Sequence, residues 1–182
     1  MRKFLWSFLE IIETAGIAIV TVVLLRSFVV QPFLVSGSSM EPNFNNGNYL
    51  LVDELTYRFR EPSRGEVVVF KYPDNPSSFF IKRIIGLPGE KIVINDGKVA
   101  ILNSDGENVS LDENYLPPMQ SKDIGRFEAS LATGEYFVMG DNRNFSFDSR
   151  SWGALPQSDI IGVARLRLWP VNKVMAFSAP AY

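Results

Sequence analysis

Ile92-Val93-Ile94-Asn95-Asp96-Gly97-Lys98-Val99-Ala100-Ile101 is the stretch that decides the fold class. Two runs rich in β-branched residues flank an Asp-Gly pair. A two-residue type I′ turn needs positive φ at both centres, which Asp-Gly supplies at low cost, so the stretch reads as a tight β-hairpin. The pattern repeats on either side of it. Tyr49–Asp53, Glu66–Tyr72, Phe79–Ile85, Lys91–Asn95, Lys98–Leu102, Glu135–Met139 and Ile160–Leu168 are short apolar runs separated by Gly, Pro, Asn and Asp, the punctuation of a β protein. Residues 103–130 are polar and irregular, with Pro117-Pro118, and read as a small excursion from a barrel or sheet. No internal repeat or low-complexity tract is present. The expected fold is mostly β, a single β-rich body over residues 32–182.

Residues 1–31 differ in kind. Met1-Arg2-Lys3 leads into an apolar run from Phe4 to Val30, broken by Glu10, Glu13 and Arg26. The uncharged core, Thr14–Leu25, makes about 18 Å of helix at ~1.5 Å per residue, short of a bilayer's hydrocarbon core of about 30 Å. Ile11–Val30 reaches about 20 residues, enough to span if Glu13 and Arg26 snorkel to opposite interfaces. A cleavable leader would need a small-x-small site after the run, and Val35-Ser36-Gly37 matches that poorly. A buried core helix is the other reading. The expectation is a short cytoplasmic tail and a single transmembrane helix ending at Gln31-Pro32, since proline disfavours helical geometry in the residue before it. The basic N-terminus places that end in the cytoplasm, with Arg26 as a counter-indication.

Composition narrows the chemistry. The 182 residues are 46% hydrophobic and 21% charged, enough for a packed core. A net charge of −2 gives no basic stripe for nucleic acid. The chain contains no cysteine and no histidine, which excludes disulfides, thiolate catalysis, Cys-ligated metals and the Ser-His-Asp relay. A serine nucleophile here must give its proton to something other than imidazole, and lysine is the main candidate.

Three segments carry groups for such chemistry. Ser36-Gly37-Ser38-Ser39-Met40-Glu41-Pro42 is either a flexible turn or a nucleophile loop, in which Gly37 permits close approach and backbone N–H groups hold an oxyanion. Phe80-Ile81-Lys82-Arg83-Ile84-Ile85 reads as a strand with Phe80, Lys82 and Ile84 on one face. Lys82 is then either a solvated edge-strand charge or an amine whose pKa falls on burial toward the range of a general base. The third segment runs Gly140-Asp141-Asn142-Arg143-Asn144-Phe145-Ser146-Phe147-Asp148-Ser149-Arg150-Ser151-Trp152-Gly153. Asp148 and Arg150 pair if it is extended. The alternative is a surface loop whose ion pair is worth about 0–1 kcal/mol.

In that order, behind an N-terminal apolar segment, the three segments resemble the boxes of the type I signal peptidases, membrane-anchored Ser/Lys endopeptidases. Ser36–Pro42 resembles the family's serine box, Ile81–Glu90 its lysine box and Gly140–Gly153 its third box. The resemblance implies Ser39 as nucleophile, Lys82 as general base and Ser146 as the serine that orients the lysine. It implies oxyanion-loop roles for Gly37 and Ser38, and a structural ion pair between Asp148 and Arg150. Met40, Pro42, Arg83, Gly140, Asp141, Asn142 and Arg143 fall on positions that shape the site. The implied fold is a β-rich body with an apolar surface resting on the bilayer. The implied substrates are preprotein signal peptides with small residues one and three positions before the cut, processed without metal or organic cofactor. The implied setting is the outer face of the plasma membrane, near the protein-export channel.

The chain departs from the family pattern in several places. Gly37 stands where some members have a serine that helps hold the oxyanion. Asn43 replaces a frequent threonine, Glu90 a usual Asp, and Asn144, Phe145 and Phe147 more polar or smaller residues. Three other readings remain open: a self-cleaving Ser/Lys regulator, a peptidase dedicated to one substrate, and a non-catalytic membrane-tethered binding module.

Overall fold

The computed structural model describes residues 2–28, 30–103, 106–117 and 126–180. In chain order it forms α1 (Arg2–Phe28), β1 (Val30–Leu34), β2 (Tyr49–Asp53), β3 (Val67–Tyr72), β4 (Asn75–Gly86), β5 (Lys91–Asn95), β6 (Lys98–Leu102), β7 (Asn108–Ser110), β8 (Phe127–Ser130) and β9 (Glu135–Met139). A one-turn helix α2 (Ser149–Trp152) follows, then β10 (Leu155–Pro156), β11 (Ile160–Trp169) and β12 (Met175–Ala176). The larger sheet has the order β1-β2-β11-β3-β4-β9-β10, with β12 paired to β11. The smaller has the order β7-β6-β5-β8.

The Ile92–Ile101 stretch forms the hairpin β5–β6. Asp96 (φ 48°) and Gly97 (φ 76°) form its turn, and Ile94 faces Val99 while Ile92 faces Ile101. These four side chains are at most 1% exposed and pack with Ile85, Phe137 and Met139 of the larger sheet. Each such side chain stabilises the fold by roughly 1.5–3 kcal/mol. Gly86, at the end of β4, lets the two sheets close, because a Cβ there would lie 2.4 Å from Ile92 Cδ1.

The strands differ from expectation where pairing, not local composition, makes them. β1 includes Pro32, yet it is paired on one side only, with β2, and an edge strand tolerates the missing N–H. β1 also begins at Val30, before the expected boundary. β7 and β8 lie inside the expected irregular excursion and are recruited by β6 and β5. Pro118 and the rest of 118–125 lie outside the described residues.

In α1 the described side chains, Trp6 and those of residues 10–22, are all exposed, including Ile11, Ile12, Ile17, Ile19, Val20 and Val22 at 53–66%. That removes the buried-core-helix reading for this part of α1. Among the described residues no helix is long and apolar enough to cross a membrane. The expected span, 11–30, runs through residues 23–29, whose side chains lie outside the described set.

Candidate active site

β4 is the strand that places the lysine. It runs between β3 and β9, and Lys82 faces Val68 across the β3 ladder. The strand is therefore central, which corrects the edge-strand reading, and Lys82 is 4% exposed. Burial pushes its amine down to about 8, against the pull of Asp148 and Asp141, which favour the charged form. Phe80 lies on the same face as expected, with Nζ 5.4 Å from its ring centre.

Ser39 arrives on the turn that follows β1. Gly37 has φ +97°, a conformation costly for any other residue, and its amide donates to Asn46 Oδ1. Glu41 N donates to Ser38 O and Phe44 N to Met40 O, so the chain coils tightly from Ser38 to Phe44. Met40 and Phe44, each 1% exposed, anchor the turn in the core. Ser39 itself is half-buried, and Lys82 Nζ lies 2.8 Å from its Oγ and 2.9 Å from Ile81 O. Two residues 43 apart in sequence thus share a hydrogen bond at the floor of a cleft of about 320 Å³. Phe33, Val35, Leu50, Val69, Phe79 and Ile81 give the cleft apolar walls.

The third segment closes the turn from beneath. Asn142 donates its backbone N–H to Ser39 O and its side chain to Ser38 O, both at 3.0 Å. Asp141 is fully buried and clasped by Arg83 at 2.8 and 2.6 Å, while Arg83 also donates to Gly65 O. Asp148 is equally buried and forms a two-pronged pair with Arg150 at 2.8 Å. The pair forms on α2, which Asp148 caps, and not on an extended segment or a solvated loop. Burial works to raise the Asp148 carboxyl, but Arg150 and the Gly140 amide outweigh it and hold it below its ordinary value.

Ser146 Oγ is buried without a hydrogen bond of normal geometry, lending only a minor pull on Asp148. It packs against Gly140, where an added Cβ would lie 2.2 Å from it. Among the described residues it makes no hydrogen bond to Lys82, which instead bonds Ser39 and Ile81. Phe145 and Phe147 are exposed on the cleft rim. Pro42 follows a cis peptide bond at the end of the serine box. Glu90 pairs with Arg64 and accepts from Leu87 N, not from Ser39 or Lys82. Among the described residues no three acidic side chains gather to hold a metal ion.

Two further residues reach the site from the excursion. Glu113 clasps Arg143, and Tyr115 lies under Arg83, 4.2 Å from guanidinium carbon to ring centre. Burial works against the Arg143 charge, but Glu113 more than offsets it and raises its pKa further. Asn43 joins the same network, donating to Asp141 Oδ2 at 2.9 Å and Tyr115 O at 3.1 Å. No local pattern marks Glu113, which is 30 residues from its partner.

A family model described as signal peptidase, peptidase S26, matches residues 8–169. The chain belongs to this signal peptidase family. It is 36% identical to a probable signal peptidase I-2 of Synechocystis sp., over 92% of this chain and 76% of that protein. It is also 36% identical to a signal peptidase I of Leptolyngbya laminosa, over 94% and 85% respectively. A crystal structure of a signal peptidase I from Enterococcus faecalis aligns with 57% of this chain and 97% of its own, at 32% identity and a TM-score of 0.49. The chain is therefore a signal peptidase I hydrolase that cleaves signal peptides. The S26 match spans all three segments, from the serine turn to the Asp148–Arg150 pair.

Proposed function

We propose that this signal peptidase works by a Ser39/Lys82 dyad on the outer face of the plasma membrane, anchored by α1 with its N-terminus in the cytoplasm. The observation that carries the dyad is the 2.8 Å contact between Lys82 Nζ and Ser39 Oγ, with the amine buried and the hydroxyl open to the cleft. A preprotein lies in the cleft as an extended strand, pairing by main-chain hydrogen bonds beside β1, which has one unpaired edge. Alternate side chains then point at Val35, Leu50, Val69 and Ile81, walls that suit small residues one and three positions before the cut.

Chemistry begins with the neutral amine. Lys82 Nζ takes the Ser39 hydroxyl proton as Oγ attacks the carbonyl carbon, and the resulting ammonium donates that proton to the departing amine. The turn's internal hydrogen bonds are donated by Glu41 and Phe44. The Ser39 amide takes no part in them, and we assign it to the oxyanion. Water then attacks the acyl-enzyme, giving its proton to Lys82, and collapse returns a proton to Ser39 Oγ. Ser146, buried beside Gly140 with its hydroxyl unpartnered, is the residue we assign to orienting the lysine during turnover. Asp141–Arg83, Asp148–Arg150 and Asn142 hold the surrounding backbone.

The neutral amine sets a pH dependence. Below about 8 the ammonium predominates and Ser39 has no base, so kcat rises with pH and passes half-maximum near 8. A pH–rate profile checks this, and a plateau already reached at pH 6 would contradict it. The assignment as a whole is tested by mixing the detergent-solubilised peptidase with several preproteins and locating the cuts by mass spectrometry. Cuts after small-x-small sequences are expected, absent with Ser39→Ala. The range of preproteins cut separates a general peptidase from one dedicated to a single substrate.

The anchor rests on the exposed aliphatic residues of α1, which among the described residues nothing covers and which lipid would. The short link from α1 to β1 keeps the Ser39 turn close to the bilayer, where signal peptides emerge beside the export channel.

A further inference from the structure

Arg167 is a buried cation, 7% exposed, and every described contact of its guanidinium is with a neutral group. Nη1 donates to Asn43 O at 2.9 Å and to Asn48 Oδ1 at 3.3 Å. Nε donates to Lys173 O at 2.9 Å, Nη2 lies 3.2 Å from Met175 Sδ, and the Phe177 ring covers the group at 5.5 Å. Burying a charge without an opposite charge is costly, so a fold that retains one gains something else from it. The register of β11 with β2 shifts on both sides of Leu166 and Arg167, the kind of irregularity that re-aims a side chain.

What Arg167 grips is the carbonyl end of the coiled turn that carries Ser39. Asn43 O stands near the far end of that turn, just before Phe44, whose N–H closes it on Met40 O. The other end is held by Asn142 on Ser38 O and Ser39 O. Asn43 links the two ends through its side chain on Asp141 Oδ2. Phe177 packs on Phe44 with ring centres 4.3 Å apart and planes tilted by 35°, so the segment after β11 also presses the turn from behind.

We propose that Arg167 is a positioning residue for the nucleophile, fixing Ser39 against Lys82 by clamping Asn43 from the back of the turn. This rests on Ser39 as nucleophile, and nothing in it requires contact with substrate. Arg167→Gln in the full-length peptidase should then lower kcat about tenfold to a hundredfold, since small misplacements of reacting groups cost on that scale, with KM within about twofold. Arg167→Lys should recover little, because a single ammonium cannot span Asn43 O and Lys173 O together.

A second variant separates positioning from stability. Asn48→Asp offers Arg167 the missing carboxylate and draws the guanidinium away from Asn43 O. It should lower kcat while leaving the thermal midpoint equal or higher, whereas a merely structural role moves both together. Wild-type kcat in folded Arg167→Gln, an effect confined to KM, or wild-type kcat in Asn48→Asp would overturn the proposal. If wild-type peptidase cuts no preprotein at all, the catalytic reading fails first and separately.

Discussion

Lys82→Met removes peptidase activity and makes the folded protein more stable at neutral pH. The two effects have one cause. Met keeps the length and bulk of the lysine stem, so the packing against Phe80 survives, but it can accept no proton from Ser39. Loss of at least about a thousandfold in kcat is expected, the scale seen when a nucleophile loses its base. On the stability side, folding depresses the amine from 10.5 to about 8, so the native state binds its proton less tightly than the unfolded chain. At about 1.4 kcal/mol per pKa unit, the wild type carries a cost of roughly 3 kcal/mol at any pH below about 8. Between about 8 and 10.5 the unfolded chain still holds the proton that the native state has released, so wild-type stability rises with pH and the cost fades.

The variant's advantage should therefore be largest at pH 7, a rise of several degrees in thermal midpoint, and small by pH 10.5. Lost hydrogen bonds from Nζ to Ser39 Oγ and Ile81 O reduce the gain somewhat. Thermal melts of both proteins at pH 7 and 10, beside an activity assay, check both halves. Retained cleavage would remove Lys82 as base. A midpoint at pH 7 well below wild type would show that burial does not penalise this amine.

The sequence made the β body readable because its determinants are local. Asp96-Gly97 dictates its own turn, and Tyr49–Asp53, Lys91–Asn95, Lys98–Leu102 and Glu135–Met139 coincide with the observed strands. What it hid depends on partners far along the chain. Phe127–Ser130 is a strand because β5 offers it an edge. Arg143 meets Glu113, and Arg167 meets Asn43, 30 and 124 residues away respectively. The Ser39–Lys82 pair sits between these cases. Absence of histidine and cysteine made lysine the natural base. The choice between a buried amine and a solvated edge charge needed the position of β4, between β3 and β9, which no single strand sequence reveals. Asp148–Arg150 shows the same limit. The two-residue spacing pointed to pairing, but the helical turn capped by Asp148, which buries the pair, has no apolar period to announce it. Pro32 misled for a related reason, since it ends a helix and also sits in an edge strand, and only the neighbour decides.

Gly140→Ala should also be strongly damaging to activity, about a tenth as severe as loss of Lys82, although it changes no reacting group. An added Cβ would stand 2.2 Å from Ser146 Oγ, 2.3 Å from Ser39 O and 2.5 Å from Ser146 Cβ. The clash is purely one of space. A serine hydroxyl can rotate away, but Ser146 Cβ and the Ser39 carbonyl cannot, and that carbonyl is tied to Asn142 N at 3.0 Å. Relief must come by lifting the Ser39 turn off the third segment, which carries Oγ away from Lys82. A shift approaching 1 Å is enough for a loss of about a hundredfold in kcat. Overpacking on this scale costs about 1–3 kcal/mol, so the protein should still fold, with a thermal midpoint lower by several degrees. Ser146→Gly in the same chain tests where the strain falls. It removes both Ser146 contacts but leaves the Ser39 carbonyl at 2.3 Å from the new methyl, so activity should stay low. Recovery of activity in that double variant would place the obstruction at Ser146, and near-wild-type kcat in Gly140→Ala alone would show that the turn has slack which its hydrogen bonds to Asn142 do not allow.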